Sequence, residues 1–403
     1  MNHLLPLLDP ARVPSPCFVL DEARLLANAA ILNSVQERTH ARILLALKGY
    51  AAWATFPLLS RDAARGGHGP LYGTCASSVD EARLGREEFG GEVHAFAAGW
   101  SDADMDELLP LADHIVFNSL AQWEHFRPRI QAYSRQSGRP VACGLRVNPE
   151  HSEGAVAIYN PCSPGSRLGI RPRHMPERLP DGISGLHFHT LCEQGADALE
   201  RTLQAVERHF GAQLAQCRWI NFGGGHHITR ADYDVDLLCR CIDSMERTYG
   251  AQIYLEPGEA VALDAGWLTA TVLDVVEADM PIAILDTSAA CHMPDVLEMP
   301  YRPRVLAREA GELAQAGEAG EKAWTCRLAG KSCLAGDVIG DYSFAAPLAV
   351  GQRLIFCDMA IYSMVKTTTF NGLRLPGIGL LRSDGDFRLL HAFGYEDFHN
   401  RLS

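Results

Sequence analysis

Ile253-Tyr254-Leu255-Glu256-Pro257-Gly258 is a short β-rich run that stops on a carboxylate and is closed at once by a proline and a glycine. Seven runs of the same kind precede it: Ile43–Lys48, Tyr72–Ala76, Val93–Ala97, His114–Asn118, Cys143–Val147, Gly185–Thr190 and Trp219–Phe222. Most are followed by a stretch with apolar residues at i, i+3, i+4 spacing, among them Val79–Phe89, Leu120–Tyr133, Ala198–Phe210 and Asp232–Tyr249. Strands alternating with helices predict parallel α/β units, and eight of them predict a closed (β/α)8 TIM-like barrel rather than an open doubly wound sheet. The active site of such a barrel lies at the C-terminal ends of its strands, so the last residues of these runs are the candidates for chemistry.

Outward from the barrel the pattern changes. Beyond about Gly266 the helical period fades, and Leu268–Val276, Ile282–Asp286, Trp324–Leu328, Arg353–Phe356 and Phe387–His391 predict a C-terminal all-β domain. The opening run Cys17–Leu20 lies before the barrel and is free to pair with that sheet. The expected division is a barrel over 21–265 and a β-sheet domain over 1–20 and 266–403. The small, acidic stretch Arg308–Glu321 is expected to be a surface loop. Asn148–Pro172, rich in Gly, Pro, Ser and Asn, is expected to be a long functional loop.

Composition narrows the partners. Of 403 residues, 47% are hydrophobic and 21% charged, an ordinary globular balance. With 36 Lys plus Arg against 49 Asp plus Glu, the net charge of −13 suits neither a phosphate backbone nor an anionic membrane, and favours a cationic small molecule. No apolar run reaches the roughly 18 residues needed to span a bilayer, and no basic segment precedes an apolar one at the start. A cytoplasmic location is therefore expected. The 12 cysteines are scattered without a C-x-x-C pair, so they are expected to be reduced, and no metal is expected.

At the predicted strand ends stand a lysine, imidazoles, a glycine triplet and a carboxylate. Lys48 follows the apolar Leu44-Leu45-Ala46-Leu47; desolvation there would free an amine for Schiff-base chemistry, unless the side chain only snorkels to water. Gly223-Gly224-Gly225 is either an anion nest or a tight turn. Glu256 is either a carboxylate aimed into the mouth or a loop cap, and if buried it needs a cationic partner. His187 and His189 share one face of their strand and, with His226 and His227, leave a zinc-dependent barrel hydrolase open as a second class.

Lys48, the glycine triplet and Glu256-Pro257-Gly258, followed by a β domain, resemble the alanine racemase-like (fold type III) enzymes of pyridoxal 5'-phosphate. More narrowly, His189-Thr190-Leu191-Cys192-Glu193, Glu256-Pro257-Gly258-Glu259-Ala260, Cys333-Leu334-Ala335-Gly336-Asp337 and Tyr362-Ser363-Met364 with Phe370-Asn371-Gly372 are similar to the carboxynorspermidine (carboxyspermidine) decarboxylases. The resemblance covers nearly the whole chain. It implies pyridoxal phosphate held by Lys48, with His189 stacked on its ring, Gly223, Gly224, Gly225 and Tyr362 on its phosphate, and Glu256 on its ring nitrogen. It implies a homodimer with shared sites, in which Cys333 reaches across to reprotonate the product carbanion.

The implied reaction converts carboxynorspermidine and/or carboxyspermidine to norspermidine or spermidine. Diaminopimelate, ornithine and arginine are the alternative substrates, and a non-catalytic homologue that binds a partner is a further class. One departure stands out: many decarboxylases of this fold follow Glu-Pro-Gly with a phosphate-binding arginine, where this chain has Glu259. Glu259, with Asp295 and Asp337, is expected to bind the ammonium groups of the substrate.

Overall fold

The computed structural model describes residues 2–154 and 159–403; residues 155–158 of the expected Asn148–Pro172 loop lie outside the described residues. The chain forms two compact units, Leu26–Val261 and Met1–Leu25 with Ala262–Ser403. After β1 (Cys17–Asp21) come β2 (Arg42–Ala46), β3 (Gly73–Ala76), β4 (Glu92–Phe96), β5 (His114–Phe117), β6 (Ala142–Arg146), β7 (Ile183–His187), β8 (Trp219–Asn221) and β9 (Gln252–Leu255). Strands β2 to β9 form a closed barrel with parallel neighbours, sealed where Arg42 and Ile43 pair with Tyr254 and Leu255. The predicted eight-stranded barrel is therefore present.

Helices between the strands start and stop on local signals. Leu120–Ser137 is capped by the Ser119 hydroxyl, which accepts from Gln122 N at 3.2 Å, and it ends at Gly138, φ 70°. Val235–Tyr249 is capped by Asp234, which accepts from Leu237 N at 2.8 Å. The barrel lumen is filled from below by Trp219, Tyr254 and the stacked rings of His94 and His114, centroids 3.9 Å apart. Gly185 makes room for this plug, since a Cβ there would come within 2.1 Å of the Trp219 ring.

The sheet unit holds ten strands. β10 (Gly266–Glu277) pairs with β1, β11 (Pro281–Leu285) and β16 (Arg353–Cys357). β1 lies between β10, antiparallel, and β17 (Gly377–Leu381), parallel, so the opening run does join the C-terminal sheet. β14 (Trp324–Ala329) and β15 (Val338–Phe344) extend the sheet from β11, and β18 (Phe387–His391) pairs with β17.

One expectation about this unit needs correction. Arg308–Glu321 is not simply a loop: β12 (Val305–Glu309) and β13 (Glu312–Gln315) form a hairpin through it. Ala310 and Gly311, φ 49° and 89°, supply the two-residue turn with positive φ that suits a twisted hairpin, a signal masked by the acidic composition. The expected β domain is present as this mostly antiparallel sheet, with short helices at Ala289–His292, Asp295–Glu298 and Tyr395–Leu402 beside it. Among the described residues no helix is long and apolar enough to cross a membrane.

Candidate active site

The predicted strand ends overrun the observed ladders, and the chemistry sits in that overrun. β2 stops at Ala46, β7 at His187 and β9 at Leu255, so Lys48, His189 and Glu256 lie just past the paired segments, over the C-terminal mouth of the barrel. Backbone bonds fix each. Ala46 N–H donates to the Pro257 carbonyl at 3.1 Å and Leu47 N–H to Cys75 at 3.0 Å, while Glu256 N–H donates to Gly223 at 2.8 Å. Neighbouring strands thus hold these residues at one level.

A cavity of about 170 Å³ opens there, lined among others by Lys48, Cys75, Arg146, His187, His189 and Glu256. Lys48 Nζ stands 3.4 Å from His189 Nε2. His189 Nδ1 lies 3.0 Å from both the amide nitrogen and the carbonyl oxygen of Gly224, which orients the ring. Burial, then the charges of Lys48 and Arg146, hold the His189 imidazole well below its ordinary range, so the ring is neutral.

Glu256 is 6% exposed, and both its oxygens are engaged. Asn221 Nδ2 donates to Oε1 at 2.7 Å, and His187 Nε2 stands 3.2 Å from Oε2. Burial alone would push this carboxyl up, but His187, His94 and Asn221 outweigh it and hold the group at about 2. Burial lowers His187 in turn, and its Nδ1 has no hydrogen-bond partner among the described residues. Glu256 is therefore an ionised carboxylate to which His187 donates from Nε2. The Cys75 thiol also bonds to this carboxylate, which still leaves it acceptor capacity for a ligand.

Sequence reasoning missed Asn221 and Glu81 at this site, whereas Arg146 and the Ser166–Gly169 segment were legible at the end of the fifth barrel strand and in the long loop after it. Asn221 holds Glu256 and also accepts from Gly223 N–H at 2.8 Å, so its position two residues ahead of the triplet was a usable signal. Arg146 is 4% exposed, lies over the Phe96 ring at 4.6 Å and donates to the His189 carbonyl at 3.1 Å. Glu81 accepts from Ser77 N–H at 2.6 Å; burial pushes its carboxyl up while Lys48 pulls it down. The Ser78-x-x-Glu81 capping pattern hid that second role. Arg167 and Leu168, from the long loop after β6, also line the cavity.

The glycine triplet is partly a packing device. Gly225 sits at φ 83°, and a Cβ on it would come within 2.0 Å of the Leu191 carbonyl. The Gly223 amide is taken by Asn221 and the Gly224 amide by His189. The four histidines weighed for zinc do not converge. Among the described residues, the groups whose donor atoms come together are Glu92, His94 and His114, and Glu193, His227 and Glu259.

The remaining expected residues belong to the sheet unit, except Glu259. Glu259 opens a short helix in the barrel unit, its Oε2 3.2 Å from His227 Nε2. Cys333 is the one exposed cysteine of the twelve, and its N–H donates to Asn371 Oδ1 at 3.0 Å. Tyr362 is half-buried at φ 44°.

Two of the three acids expected on the substrate have partners within the chain. Asp295 is ion-paired with Lys366, which also holds Glu298 at 2.5 Å. Asp337, 2% exposed, accepts from Ser288 Oγ at 2.8 Å, Ala289 N at 2.7 Å and Ser332 Oγ at 2.6 Å. A carboxylate so fully hydrogen-bonded ties down the loop that carries Cys333; it has little left for a substrate ammonium.

The barrel residues fit pyridoxal phosphate: a lysine amine, a flat neutral imidazole and an ionised carboxylate with free lone pairs face one cavity. Comparison with known proteins agrees. The profile of the family described as "Pyridoxal-dependent decarboxylase, C-terminal sheet domain" matches residues 17–360. A carboxyaminopropylagmatine decarboxylase of Synechocystis is 46% identical, over 97% of this chain and 96% of its own. A carboxynorspermidine/carboxyspermidine decarboxylase of Campylobacter jejuni is 39% identical, over 97% of this chain and 99% of its own. The crystal structure of carboxynorspermidine decarboxylase from Campylobacter jejuni with norspermidine matches with a TM-score of 0.83 and 38% identity, covering 96% of this chain and 100% of that one.

Proposed function

The chain belongs to the pyridoxal-dependent decarboxylases, and from that premise we propose that it removes the α-carboxylate of carboxynorspermidine and/or carboxyspermidine, releasing norspermidine or spermidine. Its cofactor is pyridoxal phosphate. The observation that carries the reading is the buried, ionised Glu256 sharing a cavity with Lys48. When bound, pyridoxal phosphate supplies a conjugated ring that accepts the electron pair left as carbon dioxide departs. Lys48 is the amine that holds the cofactor, and Glu256 keeps a proton on the ring nitrogen. His187 and Asn221 keep Glu256 ionised and aimed. His189 supports the ring face, and the Gly223–Gly225 loop with Tyr362 takes the phosphate.

Cys333 returns the proton to the product carbon, acting from the second subunit of a homodimer in the cytoplasm; its exposure supports that role. Of the expected substrate acids, Glu259 and Asp295 are kept, whereas Asp337 is saturated by donors of its own unit. A second substrate, carboxyaminopropylagmatine, is favoured by the 46% identity to the Synechocystis enzyme.

Carbon dioxide release by the purified holoenzyme, compared across the three carboxy-polyamines and diaminopimelate, ornithine and arginine, tests the reading. Turnover confined to the carboxy-polyamines is expected. Turnover of a simple amino acid alone would retain the chemistry and overturn the substrate.

A further inference from the structure

The charged residues that line the cavity are Lys48, Arg146, Arg167 and Glu256, three cations against one carboxylate in a chain whose net charge is −13. Lys48 and Glu256 have roles in the reading above, which leaves two guanidinium groups without one. Neither forms an ion pair with a described residue: Arg146 spends one donor on the His189 carbonyl at 3.1 Å, and Arg167 is bonded through its backbone. A guanidinium carries five donors, so most of this capacity is unspent.

The placement of Arg167 is built into the loop. Asn118 brackets it, with Nδ2 donating to the Arg167 carbonyl at 2.8 Å and Oδ1 accepting from Gly169 N–H at 2.7 Å. Asn148 Nδ2 donates to the Leu168 carbonyl at 3.2 Å, and Ile170 N–H donates to the carbonyl of Arg146 itself at 2.9 Å. The segment that carries Arg167 is thus tied to the strand end that carries Arg146. Burial, with the charge of Arg167 adding to it, pulls the Arg146 guanidinium down to about 10, so both groups stay charged near neutral pH. Holding two like charges at one cavity is unfavourable until an anion joins them. The cofactor phosphate is assigned to the glycine loop, so the anion left for the guanidinium groups is the α-carboxylate of the substrate.

We infer that Arg167, backed by Arg146, docks the α-carboxylate of the substrate and repels the product once that carboxylate is gone, an inference that rests on the substrate reading above. When the bond to the carboxylate breaks, its electron pair stays on the α-carbon and is taken up by a proton, so the product carries one more positive charge than the substrate. A planar guanidinium grips a carboxylate side-on through two N–H groups. The same charge opposes the ammonium groups of the polyamine that remains. Because the contact is made to the group that leaves, it holds the bound substrate and does not speed the chemical step.

The test compares turnover of carboxynorspermidine with binding of norspermidine, the latter by titration calorimetry on the holoenzyme. Arg167 is exposed, so Arg167→Gln keeps the fold. It should raise KM for carboxynorspermidine about tenfold, with a smaller effect on kcat, and should tighten norspermidine binding about two- to fivefold. Arg167→Lys keeps the charge without the planar fork, and should leave norspermidine binding close to wild type. A residue that only shapes the wall would move substrate and product in the same direction. Equal weakening of both, or an unchanged KM, would overturn the inference. Weaker binding of pyridoxal phosphate in Arg167→Gln with KM unchanged would also overturn it, and would hand the arginine to the cofactor. A wild type that turns over ornithine but none of the carboxy-polyamines would overturn the substrate reading alone; KM for ornithine and binding of putrescine would then have to move in the same opposite directions, and a shared direction would overturn the role of Arg167 as well.

Discussion

Replacing Glu256 by Gln removes a charge from a group that is 6% exposed while leaving its shape unchanged. The carboxyl is held at about 2 against an ordinary 4.5, a difference of 4.5 − 2 = 2.5. That favours the ionised over the neutral form by about 3 kcal/mol, the order of stability the amide should forfeit near neutral pH. The sign is that of a depressed carboxylate: the contribution is full above the unfolded pKa of 4.5 and vanishes as pH falls through about 2. Asn221 cannot turn its amide around, because Oδ1 already accepts from Gly223 N–H at 2.8 Å. His187 can adapt, since its Nδ1 is unbonded and can take the proton from Nε2. The substituted amide is thus accommodated, with its oxygen toward Asn221 and its NH2 toward His187, and the fold survives.

The chemistry should not survive so well. Loss of a charged partner for the ring nitrogen removes about 2 to 3 kcal/mol, or roughly a hundredfold in kcat. The assay is carbon dioxide release at saturating substrate and cofactor, with urea unfolding in parallel. A Glu256→Gln enzyme that loses about 3 kcal/mol of stability yet keeps kcat within about threefold would refute the role given to Glu256.

Other perturbations read different parts of the site. Lys48→Ala should lose the visible absorption of the bound cofactor, and Cys333→Ala should keep that band but slow or misdirect product protonation; an unchanged spectrum in the lysine variant would sink the mechanism. Asp337→Ala leaves the Ser288, Ala289 and Ser332 donors unsatisfied, so stability should fall by about 3 kcal/mol or more. A stable Asp337→Ala protein with only a raised KM would restore Asp337 to the substrate. His226, 1% exposed, is held by burial at about 4 against 6.5. The unfolded chain therefore binds the extra proton first, and stability should drop by up to about 3 kcal/mol as pH falls from 6.5 to 4. Urea midpoints that stay flat across that window would contradict this.

Much of the molecule was legible from residue order alone. Period-two runs alternating with period-3.6 runs specify βα units, and eight of them close into a barrel because strand and helix signals are local in the chain. For the same reason Lys48 and Glu256 could be picked out at strand ends, and Cys17–Leu20 could be read as a strand outside the barrel. The hairpin through Arg308–Glu321 escaped because its evidence is the backbone conformation of Ala310 and Gly311, which composition does not reveal.

What only the tertiary structure decided is how each charged side chain is occupied. Asp337 and Glu259 look alike as exposed acids in the sequence, yet one is saturated by hydroxyl and amide donors from Ser288, Ala289 and Ser332, and the other faces Glu193 and an unbonded His227. Glu256 is an ionised group because barrel closure brings His187 and Asn221 against it from other strands. Residue type sets what a side chain can do, whereas burial and long-range neighbours determine which lone pairs and charges are left to do it.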